Sequence, residues 1–189
     1  MKKIVLFASG SGTNTENIIL HFNKSDVGKV AAVFCNNPKA MVLERAAKYH
    51  VPTVVFSKEE LKTDLVLNKI KEFQPDLIVL AGFLLQFPLS IIHEYPDQII
   101  NIHPALLPKY GGKGMYGMNV HRAILENNEI ETGISIHYVN EHYDKGKMIF
   151  QKSIAITDCE TPEAVANKIH ELEQEYFPLI IENLLKPTL

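Results

Sequence analysis

Asn101 and His103 stand two residues apart at the end of an apolar run, Gln98-Ile99-Ile100. In an extended backbone, residues two apart share a face, so the two side chains point the same way. One is a neutral amide that can donate a hydrogen bond. The other is an imidazole that titrates near neutral pH. Pro104 and Pro108 follow and end any regular strand. Each polar residue has an ordinary use when taken alone, Asn as an end cap and His as a satisfied, half-buried ring. Their shared face at a strand end is what points to chemistry, namely a reaction that builds negative charge on a carbonyl oxygen.

Two other segments carry suitable groups. Ser9-Gly10-Ser11-Gly12-Thr13-Asn14 joins an apolar run to a helical pattern. Its glycines let backbone N–H groups converge at a helix N-terminus, the geometry of a phosphate cradle. It lacks the lysine of a triphosphate loop, and Thr15 stands where a dinucleotide loop has its third glycine, so a single terminal phosphate fits best. A tight turn with no ligand is the plain alternative. The polar run Asn140-Glu141-His142-Tyr143-Asp144-Lys145-Gly146 reads as a hairpin tip unless Asp144 reaches His103. A carboxylate there raises the imidazole's pKa and fixes its tautomer. His137, His142 and Asp144 lie close in sequence but lack metal-ligand spacing on a helix, and no cysteine joins them, so no metal is expected. No G-x-S-x-G is present.

The elements that must position these groups follow from apolar periodicity. Strands are expected over 4–8, 30–35, 51–56, 77–80 and 98–101, and helices over 13–22, 41–49 and 61–73. In the 61–73 helix, Leu61, Leu65, Ile70 and Phe73 form the apolar stripe. Strands alternating with helices predict an α/β, Rossmann-like, mostly parallel sheet with helices on both faces. Two adjacent strand-like runs, 133–139 and 147–156, predict an antiparallel pair near the C-terminal end. A closing helix over 162–185 starts with Thr161 as cap and Pro162 at its first position. Val165, Ile169, Leu172, Tyr176 and Leu179 trace its stripe, and Pro178 should kink or interrupt it. In such sheets ligands bind beyond the carboxyl ends of the strands, where the glycine turn, the residues after Leu80 and the run from Asn101 all fall.

The 189 residues suit one domain, 1–189, with an ordinary 46% hydrophobic content. A net charge of −3 and the lack of a basic run give no reason to expect nucleic acid. No apolar stretch is long enough for a membrane span, and the apolar run after Lys2-Lys3 is too short for a signal peptide. Cys35 and Cys159 read as packed thiols in a reducing, cytoplasmic compartment. Monomer and homodimer are both open.

Together the segments resemble the folate-dependent formyltransferases, in particular the branch that acts on glycinamide ribonucleotide. The resemblance rests on Phe7-Ala8-Ser9-Gly10-Ser11-Gly12-Thr13-Asn14, Leu80-Ala81-Gly82-Phe83, the Asn101-x-His103-Pro104-x-Leu106-Leu107-Pro108 run, and Asp144-Lys145-Gly146. It covers nearly the whole chain. It implies a fold of the formyltransferase type and 10-formyltetrahydrofolate as co-substrate, with no metal. Asn101 and His103 would be the catalytic pair and Asp144 their carboxylate. Protonated His103 and Asn101 would donate to the oxyanion, with Asp144 keeping His103 charged. Gly10, Ser11, Gly12, Thr13 and Asn14 would hold the substrate phosphate, with Pro104 and Glu173 as further substrate contacts. Glu173 sits four residues after Ile169 on the edge of the apolar stripe, where a solvated side chain is the other reading. Leu84, Leu85, Gln86 and Phe87, with Asn140, Glu141, His142 and Tyr143, would frame the pterin. Two departures stand out. The Leu84-to-Phe87 stretch lacks the family's usual Met and Arg, so only backbone contacts carry over. Gly111 to Val120 is several residues longer than the family pattern. Its four glycines within seven residues predict a mobile segment, either a lid or a surface loop.

Overall fold

The computed structural model describes residues 1–187. The chain divides into two compact units, Asn101–Phe177 and the remainder, Met1–Ile100 with the stretch from Pro178 onward.

In the first unit, β1 (Lys2–Ala8) pairs in parallel with β2 (Gly28–Cys35) and with β4 (Leu77–Leu80), and β2 pairs in parallel with β3 (Thr53–Val55). Ile4, Val5, Leu6 and Phe7 are all fully buried, as a strand covered on both faces requires. α1 (Thr13–Phe22) and α2 (Met41–Lys48) pack on β2 and on each other. Phe7 anchors an aromatic cluster, with ring centroids 4.9 Å from Phe34 and 5.0 Å from Phe87. The helix expected over 61–73 is two helices, α3 (Lys58–Leu61) and α4 (Asp64–Phe73). Ser57 and Glu60 form a capping box on α3, and the Thr63 side chain accepts from Leu65 N to start α4. The break turns Leu65 outward and buries Val66 and Leu67, while Leu61 and Ile70 are buried as expected. β3 is shorter than the expected 51–56. A short helix, α5 (Leu89–Glu94), was not foreseen in the apolar pattern.

The second unit begins within β5 (Ile99–His103), which ends on His103. β6 (Glu131–Tyr138) and β7 (Met148–Ala155) form the expected antiparallel pair, with Ser135 opposite Gln151. α6 (Met118–Glu126), also unforeseen, follows the glycine-rich insertion. α7 (Pro162–Leu185) is helical through Pro178 without a break, against the expectation of an interruption. Its stripe also differs from the one read in the sequence. Leu179 is exposed, and Val165, Ile169, Phe177, Ile181 and Leu185 are buried at four-residue steps. Glu173 is the polar member of that row.

The hydrogen-bonded order of the sheet is β3-β2-β1-β4-β5-β6-β7. The chain therefore has the expected α/β fold, parallel among β1 to β4 and antiparallel at β6 and β7.

Candidate active site

β5 delivers Asn101 and His103, and the turn after β6 delivers Asp144. Asp144 has φ 53°, a left-handed conformation that Asp tolerates better than most residues. Gly146 makes this turn possible, since a Cβ there would lie 1.6 Å from the Tyr138 carbonyl oxygen. Asp144 Oδ2 comes to 3.7 Å from His103 Nδ1, and Oδ1 to 3.6 Å from His137 Nε2. Asn101, His103 and Asp144 thus meet in one unit, as the residue types suggested.

The hydrogen bonds define which imidazole nitrogen is available. His103 Nε2 lies 2.7 Å from the Tyr110 carbonyl oxygen, which can only accept. Nε2 therefore carries the proton, and Nδ1 presents a lone pair toward Asp144. His137 is a site residue that the sequence reading considered only as a metal ligand. Its Nδ1–H donates to the Tyr138 carbonyl at 2.8 Å, and its Nε2 lies 3.3 Å from Asn101 Nδ2 as well as 3.6 Å from Asp144 Oδ1. The Asn101 amide is thereby turned with its NH2 toward His137, and a second N–H remains for a developing oxyanion. The signal for His137 was a histidine inside a strand, but its partner lies 36 residues away in sequence.

Electrostatics correct one expectation. Asp144 does draw a proton toward His103, yet burial is the larger effect and leaves the imidazole below its ordinary pKa of 6.5. His103 is 3% exposed and rests neutral at pH 7. Burial also works to raise the Asp144 pKa. His137, the charge that His103 can carry, and the Gly112 N–H at 2.8 Å together outweigh it, so Asp144 stays ionised.

A buried brace holds the residues after His103. Ser135 Oγ donates to the Ala105 carbonyl at 2.7 Å and accepts from Leu107 N at 3.0 Å. Gln151 Nε2 donates to the Leu107 carbonyl at 2.9 Å. Pro104 lies inside this braced segment, half-buried. Glu173, on α7, is mostly buried, lies 3.7 Å from His170 Nδ1, and acts on the charge of His103.

The other proposed contacts lie where their types allow. Asn140, Glu141, His142 and Tyr143 are exposed on the loop before Asp144, with Asn140 Oδ1 accepting from His142 N at 2.9 Å. Leu84 and Gln86 are exposed and Leu85 half-buried, whereas Phe87 is buried with its ring in the aromatic cluster. Within the first unit, Gly12 is the left-handed N-cap of α1 at φ 74°, and a Cβ there would come within 2.4 Å of Val42. Ser11 and Gly10 are fastened by Arg45 Nε at 2.9 Å and Val42 N at 3.2 Å, each donating to a carbonyl. The N-cap of α1 is Gly12, which has no side chain to cap it, and the helix's positive end suits an anion. Among the described residues, no group of three or more His, Cys, Asp or Glu is placed to hold a metal ion.

A mostly parallel sheet brings an amide, an imidazole and a carboxylate together at the end of β5, a set of groups that suits group transfer. Residues 2–181 match the formyl transferase family, and the chain belongs to it. The relatives narrow the branch. The chain is 33% identical over 191 residues to phosphoribosylglycinamide formyltransferase of Bacillus subtilis (strain 168), spanning 98% of this chain and 95% of that one. It is 34% identical over 196 residues to the chloroplastic phosphoribosylglycinamide formyltransferase of Arabidopsis thaliana, spanning 98% of this chain and 67% of that one. Among solved structures it is similar to glycinamide ribonucleotide transformylase 1 from Geobacillus kaustophilus, with TM-score 0.89 and 35% identity over 98% of this chain and all of the other.

Proposed function

We propose that this enzyme transfers the formyl group of 10-formyltetrahydrofolate to the free amine of glycinamide ribonucleotide, a step of purine biosynthesis. The observation that carries the reading is the meeting of Asn101, His103 and Asp144, with the His103 Nδ1 lone pair facing an ionised carboxylate 3.7 Å away. The two named relatives and the folded-chain likeness support the choice of substrates.

The chemistry follows from the tautomer. The neutral amine attacks the formyl carbon, and the carbonyl electrons move onto oxygen. Asn101 Nδ2 donates to that oxyanion. One such donor typically contributes about 2.7–4 kcal/mol to the barrier. His103 Nδ1 takes the proton that the attacking nitrogen must lose. Asp144, beside it, stabilises the imidazolium so formed. Collapse of the tetrahedral carbon breaks its bond to the folate nitrogen, and His103 returns the proton to that leaving group. General acid–base work of this kind contributes roughly 10²–10⁴-fold. The Tyr110 carbonyl holds the ring in register throughout. Gly10, Ser11, Gly12, Thr13 and Asn14 take the substrate phosphate. Pro104 and Glu173 take the glycinamide end. Leu84 to Phe87 and Asn140 to Tyr143 take the pterin. No covalent enzyme intermediate is needed.

Thermal shift and product analysis test this together. Glycinamide ribonucleotide and a folate analogue should each raise Tm, and formylated ribonucleotide should accumulate with both substrates present. Stabilisation by the phosphate ligand alone, or release of formate without transfer, would overturn the assignment.

A further inference from the structure

The backbone of residues 110–112 touches both members of the proton-transfer pair. The Tyr110 carbonyl accepts from His103 Nε2 at 2.7 Å, and the Gly112 N–H donates to Asp144 Oδ2 at 2.8 Å. Between them, Gly111 leaves no room for a side chain. A Cβ there would come within 2.5 Å of the Leu107 side chain and 3.3 Å of the Asp144 Cβ. The start of the glycine-rich insertion therefore lies on the site as a backbone clamp. Its conformation is not one that a tyrosine adopts readily. Tyr110 has φ 56°, a left-handed backbone that costs a bulky residue energy, and Gly112 follows at φ 94°. Something must hold Tyr110 there.

The tyrosine side chain shows what does. Its hydroxyl donates to Glu129 Oε1 at 2.9 Å, and Lys109 Nζ donates to the same oxygen at 2.8 Å. Glu129 lies between α6 and β6, and its own N–H donates to the carbonyl of Ile124, a fully buried residue of α6. The Lys109 pair is on the surface, where such pairs contribute little. The tie to half-buried Tyr110 is the one that leads to the site. We propose that Glu129 is a positioning residue: by holding the Tyr110 hydroxyl it keeps the 110–112 backbone on His103 and Asp144, and so keeps the His103 proton on Nε2. The inference rests on the reading of His103 as the base and deepens it. Asp144 Oδ2, 3.7 Å from Nδ1, pulls the proton toward Nδ1. The Tyr110 carbonyl opposes that pull, because the hydrogen bond made by one ring nitrogen decides the state of the other. Without the carbonyl in place, the proton moves to Nδ1 and the lone pair that serves as base is lost from that atom.

The test uses the whole enzyme and three variants, Tyr110→Phe, Glu129→Ala and Glu129→Gln, with nitrogen-15 NMR of the His103 ring and steady-state kinetics for each. Tyr110→Phe and Glu129→Ala should move the ring proton partly or wholly to Nδ1 at pH 7. Their kcat should fall about two- to tenfold, the weight of one hydrogen bond, with both KM values unchanged. The double variant should lose no more than the worse single one, since both changes cut the same tie. Glu129→Gln keeps an oxygen that accepts from the hydroxyl and should retain both the Nε2 proton and the turnover. A wild-type tautomer and kcat in Tyr110→Phe overturn the proposal. So does a fall in kcat with the proton still on Nε2, which marks general loosening, or a Gln variant as impaired as the Ala variant. If Glu129→Ala fails to fold, Tyr110→Phe, which loses a single oxygen atom, decides the matter. The tautomer is read without substrate and tests the clamp by itself, whereas wild-type enzyme that does not formylate glycinamide ribonucleotide defeats the functional reading.

Discussion

His103 is pulled in opposite directions by its surroundings, and burial wins over Asp144. The outcome suits a group that must first accept a proton and then return it, since a ring already charged at pH 7 could not serve as the base. Asn101 is oriented by His137 rather than by its own strand, its Nδ2 lying 3.3 Å from Nε2 of that ring. These two roles separate in mutants. Asn101→Ala should lower kcat by about 10²–10³-fold with little change in Tm, the loss of one oxyanion donor. His103→Asn removes the proton carrier and should cost turnover by roughly 10²–10⁴-fold. Rapid-quench rates beside melting curves would separate these losses from unfolding. Near-wild-type turnover in His103→Asn would remove the ring from the chemistry.

At the scale of elements, the sequence exposed the parts that are local. The strand-to-helix glycine turn, the fifth strand (expected to end at 101 but running to His103) and the late antiparallel pair could all be read from apolar runs and their terminators. The division of 58–73 into α3 and α4 depended on two side-chain caps, Ser57 and Thr63, that interrupt one continuous apolar pattern. The course of α7 depended on four-residue steps that bury Phe177 and Ile181 rather than Tyr176 and Leu179, a choice made by packing and not by hydrophobicity. The same blindness hid His137. A histidine in a strand reads as filler until its partner is known, and that partner, Asn101, is distant in sequence. The brace behind the site was equally hidden, because Ser135 and Gln151 are register neighbours across two strands. It gives a specific expectation. Ser135→Ala strands the Leu107 N–H and the Ala105 carbonyl in the interior, so urea unfolding should show a loss of about 1–3 kcal/mol. Turnover should fall as well, since the segment after His103 loses its anchor. Unchanged stability would mean that the brace is redundant.

At the scale of the molecule, pH links the site to stability. His103 and His121 both have folded-state pKa values below the ordinary 6.5. Their contribution is complete above that value and is lost as pH falls through the depressed values, because the unfolded chain takes up protons first. His170, beside Glu173, is shifted the other way and is more exposed, so it opposes the trend weakly. Tm should therefore fall on acidification below pH 6.5, and His121→Phe should reduce the fall. Calorimetry across that range would show it, and an acid sensitivity identical in the variant would exclude His121 from the linkage. No described helix is long and apolar enough to cross a membrane.

The proton inventory of the resting site is the most direct thing to measure. Nitrogen-15 NMR of histidine-labelled enzyme, with His103 assigned through His103→Asn, reports both tautomer and titration. The expected result is a neutral, Nε2-protonated ring at pH 7 that titrates below 6.5, and still lower in Asp144→Asn, where the attraction of the carboxylate is gone. A ring that is already doubly protonated at pH 7, or whose titration ignores Asp144→Asn, would contradict the mechanism.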